Sequence, residues 1–205
     1  MKKLAILGAS GHGKVVADTA ECCGWSDIVF FDDAWPSRTT NGPWEVVGTG
    51  SELFERIGEF EGVVVAIGNN NIRQQKLIAL IQRGAVVVTL IHPAAHVSRH
   101  ASVAAGTVIF AGAVVNAGSS VGLGGILNTG CSVDHDCVLA EAVHISPGAR
   151  LAGGVEVGDR AWVGIGACVK QLVVLGADVL VGAGAAVVAD VVGGCIVVGV
   201  PARVL

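Results

Sequence analysis

Residues 97–146 read VSRHASVAAGTVIFAGAVVNAGSSVGLGGILNTGCSVDHDCVLAEAVHIS, and the pattern they set continues to residue 192. An aliphatic side chain occupies every sixth position of this stretch, sixteen times without a slip of register. The register ends at Gly193, where the next aliphatic residue would stand. The sixteen positions are Val97, Val103, Ile109, Val115, Val121, Leu127, Val133, Leu139, Ile145, Leu151, Val157, Val163, Val169, Leu175, Val181 and Val187. Such self-similarity at a fixed period predicts a repeat architecture.

A period of six residues fits neither the turn of an α-helix nor the alternation of a simple strand. It fits a chain that turns one corner per repeat, and the fourth residue after most of the aliphatic positions is small. These small residues are Ala101, Thr107, Ala113, Ser119, Gly125, Cys131, Cys137, Ala149, Ala161, Ala167 and Ala185. Large inward residues on the flat sides and small ones near the corners predict a parallel β-helix of hexapeptides. Because three hexapeptides close one triangular coil, residues 18 apart stack and the repeats form just over five coils.

Residues 1–92 have a different pattern, in which short apolar runs alternate with helical periodicity. The predicted strands are residues 3–7, 27–31, 62–67 and 85–91, and the predicted helices are residues 14–23, a short helix capped by Ser51, and residues 72–83, with residues 34–50 mostly loop. This order is typical of a small parallel α/β domain of Rossmann type. We therefore predict two domains, a Rossmann-like α/β domain at residues 1–92 followed by an all-β parallel β-helix at residues 93–205.

Ligands of such a parallel sheet bind at the carboxyl ends of its strands. The loops predicted there are Ser10-Gly11-His12-Gly13, Asp32-Asp33 and Gly68-Asn69-Asn70. Glycines let the backbone approach a phosphate, the helix start offers free N–H groups, and Asp32 can hold a ribose hydroxyl. The spacing G-x-x-G-x-G differs from the dinucleotide fingerprint, so a nucleotide-linked ligand, a redox cofactor and a structural glycine turn stay open. His12 is expected to be exposed in its loop.

The composition narrows the classes of function. A net charge of −4 at pH 7 gives no basic footprint for nucleic acid. No apolar run in the sequence approaches the roughly 18 residues that span a bilayer, and residues 4–7 are too short for a signal peptide. We therefore expect a cytoplasmic protein without stable membrane insertion. The six cysteines include no C-x-x-C motif, which favours reduced thiols used as small apolar side chains over a zinc site.

His135 differs from the other histidines of the repeat. It lies two residues after the inward-facing Val133, so its side chain is expected to project outward, and Asp134 and Asp136 flank it. A carboxylate beside an imidazole raises the basicity of the imidazole. An outward imidazole that is oriented by a carboxylate is what a general base requires. On spacing alone, catalysis and plain surface exposure both stay open.

His144 follows nine residues later, which is half a coil, so the two imidazoles of one chain do not share a face. A metal ion held by both within one chain is therefore not expected. In a trimer the faces of neighbouring prisms meet, and His144 can complete a neighbour's site. Trp162 is expected on an outer face, where either a subunit contact or a coenzyme groove would use it.

These motifs together make the chain resemble the PglD/NeuD group of sugar acetyltransferases, within the left-handed β-helix hexapeptide acyltransferases. The resemblance covers essentially the whole chain. The motifs that carry it are GASGHG (8–13), DD (32–33), IGNN (67–70) with Arg73, LIHP (90–93), NT (128–129), VDHDC (133–137), VHISPG (143–148) and GVPAR (199–203). Together they are specific, whereas any one alone is not.

The resemblance implies a homotrimer with active sites between subunits, acetyl-CoA along the β-helix, no metal, and a nucleotide-activated amino sugar on the N-terminal domain. His135 would take a proton from the 4-amino group of the sugar, and Asp136 would raise the basicity of His135. The residues that would hold the UDP-sugar are Ser10, Gly11, His12, Asp32, Asp33, Gly68 and Asn128. The residues that would line the coenzyme path are His144, Gly153, Ile165 and Ala183.

The stacking of the coils agrees with this implication. Gly153 comes 18 residues after His135 and therefore lies on the adjacent coil beside the base. A glycine there leaves a strip without side chains in which a thioester could lie, with backbone N–H groups available to its developing negative charge.

The leading hypothesis is N-acetylation of a UDP-linked 4-amino-4,6-dideoxy sugar of the bacillosamine type, which feeds protein glycosylation or polysaccharide biosynthesis. The enzyme alternatives are O-acetylation of a sialic acid and N-acetylation of GDP-perosamine. A different class is a non-catalytic trimer that binds sugar nucleotides, and a further one is a γ-type carbonic anhydrase, which would hold stoichiometric zinc. The sequence assigns no role to Arg203.

Overall fold

The computed structural model describes residues 2–205 and divides between His92 and Pro93 into two compact units. The helices of the first unit are α1 Gly11–Cys22, α2 Gly50–Glu55 and α3 Asn70–Gln82, with a 3-10 turn at Ile57–Glu59. Its strands are β1 Lys3–Leu7, β2 Asp27–Phe31, β3 Thr40–Asn41, β4 Trp44–Val46, β5 Gly62–Val65 and β6 Leu90–Ile91. A sheet of order β3-β4-β2-β1-β5 forms the centre of the unit, and β1 pairs in parallel with β2 and β5.

The central strand β1 is apolar because parallel strands with helical connections are covered on both faces. Leu4, Ala5 and Ile6 are fully buried, and so are Val63 and Val64 of β5. The α/β class predicted for this unit is therefore confirmed.

Several of the predicted boundaries in this unit differ from the observed ones. The predicted loop at residues 34–50 contains the hairpin β3–β4, in which Gly42 has a φ of 71° that suits glycine. The cap of α2 is Thr49 and not Ser51, because Thr49 and Glu52 exchange the reciprocal hydrogen bonds of a capping box. The predicted strand at residues 85–91 pairs with the central sheet only at Val87, which bridges to Val63.

Two helices of this unit start earlier than predicted. α1 begins at Gly11, inside the predicted glycine loop, and follows Ser10 in extended conformation. α3 begins at Asn70, because the side chain of Asn69 accepts a hydrogen bond from the N–H of Ile72 and caps the helix.

In residues 93–205 the chain winds into a left-handed parallel β-helix, as predicted. Among β7 to β22, each strand pairs with the strand 18 residues away, as in Val114↔Ser132 and Val115↔Val133. The strands are β7 His96–Val97, β8 Ser102–Val103, β9 Val108–Ile109, β10 Val114–Val115, β11 Ser120–Val121, β12 Ile126–Leu127, β13 Ser132–Val133, β14 Val138–Leu139, β15 His144–Ile145, β16 Arg150–Leu151, β17 Glu156–Val157, β18 Trp162–Val163, β19 Cys168–Val169, β20 Val174–Leu175, β21 Leu180–Val181, β22 Ala186–Val187, β23 Ile196–Val198 and β24 Arg203–Val204.

The strands of this unit form the three faces of a prism. One face has the order β22-β19-β16-β13-β10-β7, a second has β20-β17-β14-β11-β8, and the third contains β23-β21-β18-β15-β12-β9. The predicted aliphatic column fills the axis, where Ile109, Leu127 and Ile145 are fully buried in one hydrophobic cluster. Burial of this column is the main stabilising contribution to the prism.

The regular winding ends where the sequence register ends. Near the C-terminus the pairs Leu175↔Val191 and Leu180↔Ile196 are 16 residues apart instead of 18. The last coil is therefore two residues shorter, which accounts for the glycine at position 193. After it, β24 turns back and pairs antiparallel with β23.

Each corner of the prism contains a residue in the left-handed region of φ, again with a period of six. Nine of these corner residues are glycines, at 106, 112, 118, 124, 130, 148, 154, 166 and 184, and the others are Asp136, Ala142, Arg160, Leu172 and Asp178. Side chains other than glycine are disfavoured in this conformation by about 1–2 kcal/mol. Asp136, which is next to His135, therefore occupies a disfavoured position.

Leu172→Gly is expected to stabilise the protein by about 0.5–1 kcal/mol, because glycine removes the conformational cost at a φ of 61°. Leu172 is 76% exposed, so little apolar burial is lost. The free energy of unfolding from urea titration measures the change. The reverse change Gly166→Ala, at a φ of 65° with open space around it, should destabilise by about 1 kcal/mol. A Leu172→Gly variant less stable than the parent would contradict this expectation.

Candidate active site

His135 occupies the corner between β13 and β14. Its side chain is 65% exposed, and the preceding Val133 is fully buried in the axis of the prism. The imidazole therefore points outward, as the two-residue offset from Val133 predicts.

The carboxylate of Asp136 contacts the imidazole of His135 directly, with 2.8 Å between Oδ2 and Nδ1. This hydrogen bond is the main cause that raises the pKa of His135 above its usual 6.5, and the negative charge of Asp134 adds to it. Because the carboxylate is the acceptor, Nδ1 carries the proton of the neutral ring, which leaves the lone pair on Nε2. Neutral His135 is thus arranged to accept a proton at Nε2.

Asp134 has a different task from Asp136. Its Oδ1 accepts one hydrogen bond from the N–H of His135 and another from Nδ2 of Asn116, both at 2.9 Å. The two bonds lower the pKa of Asp134, so it stays ionised. Asp134 therefore holds the backbone of the turn. Asn116 was not among the predicted residues, although its position 18 residues before Asp134 places it on the adjacent coil.

Gly153 lies directly under the imidazole of His135. A Cβ added to Gly153 would lie 2.5 Å from Cε1 of His135 and would overlap Nε2 more closely still. The predicted stacking is therefore observed, but the predicted strip without side chains is covered by the ring of His135. The glycine provides space for the base itself.

The protonation state of His135 predicts a pH profile. The rising limb of kcat/KM against pH reports the pKa of the base in the free enzyme. Since Asp136 raises the pKa of His135, Asp136→Asn should shift this limb to lower pH, with a plateau about 10-fold lower because the base is weaker and less well oriented. Steady-state assays between about pH 5 and pH 9 measure both effects.

Asp159→Asn is the control for this pH profile. Asp159 is a half-exposed carboxylate at another corner, where it accepts the N–H of Glu141. The variant Asp159→Asn should leave the rising limb of kcat/KM against pH unchanged. A limb that stays in place in Asp136→Asn would show that another group titrates.

Cys137 is the last residue of this turn, and its thiol does not supply a nucleophile. It is fully buried, its Sγ lies 3.3 Å from the carbonyl oxygen of Ala152, and burial raises the pKa of its thiol. The same cause raises the pKa of the buried Cys131 to about 12. Both thiols fill the small column of the prism, as the sequence predicts.

His144 lies on β15, on a different face from the corner of His135. Its ring stacks on Trp162, with 5.0 Å between the ring centroids and 15° between the planes. Nδ2 of Asn128 is 3.2 Å from Nε2 of His144, and the indole N–H of Trp162 donates to Oγ of Ser146 at 2.7 Å. Oδ1 of Asn128 accepts the N–H of Thr129, so the amide of Asn128 is the donor to His144.

An apolar cavity of about 350 Å³ opens beside this stack. Its lining is His144, Ser146, Pro147, Trp162, Gly164, Ile165, Leu180, Val181, Gly182 and Ala183. Three of the predicted coenzyme residues, His144, Ile165 and Ala183, therefore share one cavity, whereas Gly153 lies with His135. Two glycines and an apolar wall suit a long, narrow chain such as the pantetheine arm of coenzyme A.

In the first unit, Ser10 and Gly11 line a polar cavity of about 400 Å³. The rest of its lining is Ala9, Lys14, Arg38, Thr40, Asn41 and Gly42. The cavity adjoins the N-terminus of α1, where backbone N–H groups attract anions. The residues that line the cavity after Gly11 in the chain were not among the predicted site residues. Most of them belong to the segment of the hairpin β3–β4, which the sequence predicts as loop.

His12 is not exposed, contrary to the prediction. α1 begins at Gly11, so His12 belongs to the first turn of the helix and its Nε2 is buried. Desolvation, followed by the positive charge of Arg73, lowers the pKa of His12 to about 4. His12 is therefore neutral near pH 7.

Arg73 is buried and holds the loop that contains Gly68. Its Nη1 donates to the carbonyl oxygens of Ile67 at 3.0 Å and Gly68 at 3.3 Å, and its Nη2 donates to Oδ1 of Asn70 at 2.8 Å. Desolvation lowers the pKa of Arg73 to about 10, so it remains a cation. Arg73 is thus held by local hydrogen bonds.

Asp32 and Asp33 both bind backbone groups of neighbouring loops. Asp32 accepts the N–H of Ala9 at 2.7 Å and that of Ala34 at 2.9 Å. Asp33 accepts the N–H of Gly50, the first residue of α2, at 2.9 Å. These bonds fix the loops at the carboxyl ends of β1 and β2, and a contact with a ribose stays a prediction.

Residues 2–205 contain neither a candidate metal cluster nor a helix that could span a membrane. Within that range, no group of three or more His, Cys, Asp or Glu side chains could hold a metal ion. None of the helices described there is both long and apolar enough to cross a bilayer.

Comparisons with known proteins show the family of the chain. The PglD N-terminal domain profile matches residues 3–80. A GDP-perosamine N-acetyltransferase of Escherichia coli O157:H7 is 30% identical over 178 residues, covering 83% of this chain and 79% of that protein. The chain belongs to the PglD-type family of sugar-nucleotide N-acetyltransferases. A UDP-N-acetylbacillosamine N-acetyltransferase of Bacillus subtilis (strain 168) is 36% identical over 114 residues, 54% of this chain and 52% of that protein.

Solved structures resemble this PglD-type chain along its whole length. The acetyltransferase domain of PglB from Neisseria gonorrhoeae FA1090, in complex with acetyl coenzyme A, has a TM-score of 0.96 and 43% identity, covering 100% of this chain and 99% of that one. PerB from Caulobacter crescentus, in complex with CoA and GDP-perosamine, has a TM-score of 0.92 and 39% identity, covering 100% and 98%. The hexapeptide β-helix and its N-terminal α/β unit are therefore those of this family.

Proposed function

We propose that the protein transfers an acetyl group from acetyl-CoA to the 4-amino group of a nucleotide-activated 4-amino-4,6-dideoxy sugar. The observation that carries the proposal is the outward imidazole of His135, with Asp136 on Nδ1 and the bare Gly153 beneath the ring. In a PglD-type chain, this is a general base with its lone pair on Nε2 and its side chain largely exposed.

The chemistry at His135 needs one proton transfer. Acetyl-CoA, when bound, supplies the acetyl group as an activated thioester. Nε2 of His135 accepts a proton from the sugar amine as the amine nitrogen bonds to the acetyl carbon. The bond between that carbon and sulfur breaks, and its electron pair leaves with the coenzyme as a thiolate. Asp136 stabilises the imidazolium that forms, and the proton then passes to the thiolate or to solvent.

The residues around the apolar cavity would hold the coenzyme. His144, Ile165 and Ala183 line it, and the stack of His144 on Trp162 gives it a flat wall. The loops of the first unit that contain Ser10, Gly11, His12, Asp32, Asp33 and Gly68 would hold the nucleotide. Asn128, which donates to His144, would help to place the sugar.

We propose a homotrimer because one chain does not bring the base and the cavity onto one face. His135 lies at the corner after β13, whereas the cavity lies along β15, β18 and β21, which form another face. In a ring of three chains, the corner of one prism meets the cavity face of the next, so each site uses His135 of one subunit and the cavity of its neighbour.

Mixed trimers test this arrangement. Trimers of His135→Ala alone and of Ala183→Trp alone, whose indole fills the cavity, should both be inactive. Trimers formed by mixing the two chains equally should regain about a quarter of the parental activity, because most contain one site with both intact parts. Light scattering checks the trimer in each sample. Mixed trimers without activity would contradict a shared site.

The acceptor sugar has two candidates. A UDP-linked amino sugar of the bacillosamine type is supported by the Bacillus subtilis relative, and GDP-perosamine is supported by the Escherichia coli relative and by PerB. The 4-amino group is common to both, so the same base serves either one.

The deciding experiment is an acetyl-transfer assay with acetyl-CoA against a panel of acceptors. The panel contains a UDP-linked 4-amino-4,6-dideoxy sugar, GDP-perosamine and a sialic acid, with release of the coenzyme thiol and the mass of the product as readouts. We expect acetylation of a nucleotide-linked amino sugar. Acetylation of sialic acid alone would overturn the proposal, and so would binding of sugar nucleotides without any turnover.

A further inference from the structure

One buried hydroxyl joins both ends of the turn that carries His135. Ser119 is 1% exposed and lies on the coil before this turn. Its Oγ donates to the carbonyl oxygen of Asp134 at 2.6 Å and accepts the N–H of Cys137 at 3.0 Å. The turn of residues 134–137 is therefore closed from below by a single side chain.

The same device occurs at another corner of the prism. Oγ1 of Thr107 donates to the carbonyl oxygen of Gly122 at 3.0 Å and accepts the N–H of Gly125 at 3.2 Å. The spacings of 15 and 18 residues are those of Ser119. That corner carries none of the candidate site residues, so Thr107 is a matched reference for Ser119.

A hydroxyl is not required for a hexapeptide corner as such. The equivalent positions at other corners are occupied by residues without a hydroxyl, which include Ala113, Cys131, Ala149, Ala161, Ala167 and Ala185. The backbone ladder between coils also forms there, as in the bond from the N–H of Val114 to the carbonyl oxygen of Cys131 at 2.9 Å. The hydroxyl of Ser119 is therefore an addition to this ladder, and its effect depends on what the turn above it carries.

The turn above Ser119 carries two residues whose placement matters to the base. Asp136 has a φ of 58°, which is disfavoured for a side chain other than glycine, and its carboxylate must stay on Nδ1 of His135. The charges that act on the imidazole are Asp134 and Asp136 of the same turn, and the adjacent coils present Gly118 and Gly154 at this corner. The geometry of the pair thus depends on the backbone of the turn.

We propose that Ser119 is a positioning residue, whose hydroxyl fixes the turn 134–137 so that His135 stays on Asp136 and above Gly153. Its catalytic consequence rests on the proposed function. Without the hydroxyl, the N–H of Cys137 and the carbonyl of Asp134 lose a buried partner, and the turn relaxes. The imidazole then moves relative to the substrate and to its carboxylate.

The test compares Ser119→Ala, Ser119→Thr and Thr107→Ala in the full chain. Ser119→Ala should lower kcat about 10-fold with little change in KM, because the base is displaced while the groups that bind the substrates stay in place. The pKa of His135, followed by NMR and assigned by its absence from His135→Ala, should fall. Thr107→Ala removes two equivalent bonds, so it should lower the melting temperature similarly and leave kcat and the pKa of His135 unchanged. Ser119→Thr keeps the hydroxyl and should restore both.

The inference is overturned if Ser119→Ala loses only thermal stability, as Thr107→Ala does, while kcat and the pKa of His135 stay at parental values. It is also overturned if Ser119→Thr restores stability but not kcat. If Ser119→Ala does not fold, Ser119→Cys takes its place, because cysteine occupies the equivalent positions 131 and 137 and a thiol hydrogen-bonds more weakly than a hydroxyl. If the parent acetylates no sugar, the proposed function fails, and the NMR titration still tests the positioning of His135.

Discussion

His135→Ala is expected to lower kcat at least about 100-fold and to leave the fold unchanged. The loss is large because the imidazole accepts the proton of the attacking amine. The side chain is 65% exposed and contributes little packing, so the free energy of unfolding should stay within about 0.5 kcal/mol of the parental value. Coenzyme release with saturating sugar nucleotide measures kcat, and urea titration measures stability.

His100→Ala is the matched control for His135→Ala. His100 is another exposed histidine of the β-helix and lies outside the candidate site. It should leave kcat within about 2-fold of the parental value, because surface substitutions away from a site have small effects. Equal, near-parental activity in His135→Ala would remove His135 from the mechanism and assign the proton transfer to another group.

Gly153→Ala is expected to lower kcat by about 10- to 100-fold, because a displacement of about 1 Å in a reacting group costs that much. The new Cβ would overlap the ring of His135, and because this ring is largely exposed it can turn away. Gly153 is not among the glycines with a positive φ, so alanine fits its backbone conformation. The protein should therefore remain folded with its melting temperature nearly unchanged.

The double variant His135→Ala/Gly153→Ala isolates the cause of this loss. If Gly153 acts only by making room for the imidazole, the double variant should be no less active than His135→Ala alone. Independent, multiplied losses would instead show that Gly153 contacts a substrate. Alanine at 153 without any effect would mean that the ring does not use this position during catalysis.

The β-helix could be predicted from the sequence because each hexapeptide repeats the same physical choice. Inward positions must be large and aliphatic, and corner positions must be small, so sixteen repeats leave one architecture. The outward direction of His135 follows from Val133 by the same rule. The same spacing puts His144 beside Trp162 on adjacent strands, but it does not show that their rings stack.

The contacts that orient the base could not be predicted as readily. The 18-residue spacing places Asn116 under Asp134 and Ser119 under Cys137, but every residue of the repeat has such a neighbour. Which pair forms a hydrogen bond depends on rotamers and on corner geometry. In Asp136, that geometry is a left-handed conformation, which the sequence usually indicates by glycine.

The first unit is harder to predict because its elements are short. The strands Thr40–Asn41 and Trp44–Val46 are too brief to show an alternating pattern, and Asn41-Gly42-Pro43 reads as a loop. The three glycines around His12 predict exposure, but the start of α1 at Gly11 places it in the helix and buries Nε2.

The central claim is that Nε2 of His135 takes the proton of the acceptor amine. A crystal structure with coenzyme A and a nucleotide-linked 4-amino sugar tests it most directly. We expect the amine nitrogen to lie within about 3 Å of Nε2 of His135, with Nδ1 still hydrogen-bonded to Asp136. An amine bound far from every copy of His135, with another basic group in contact, would contradict it.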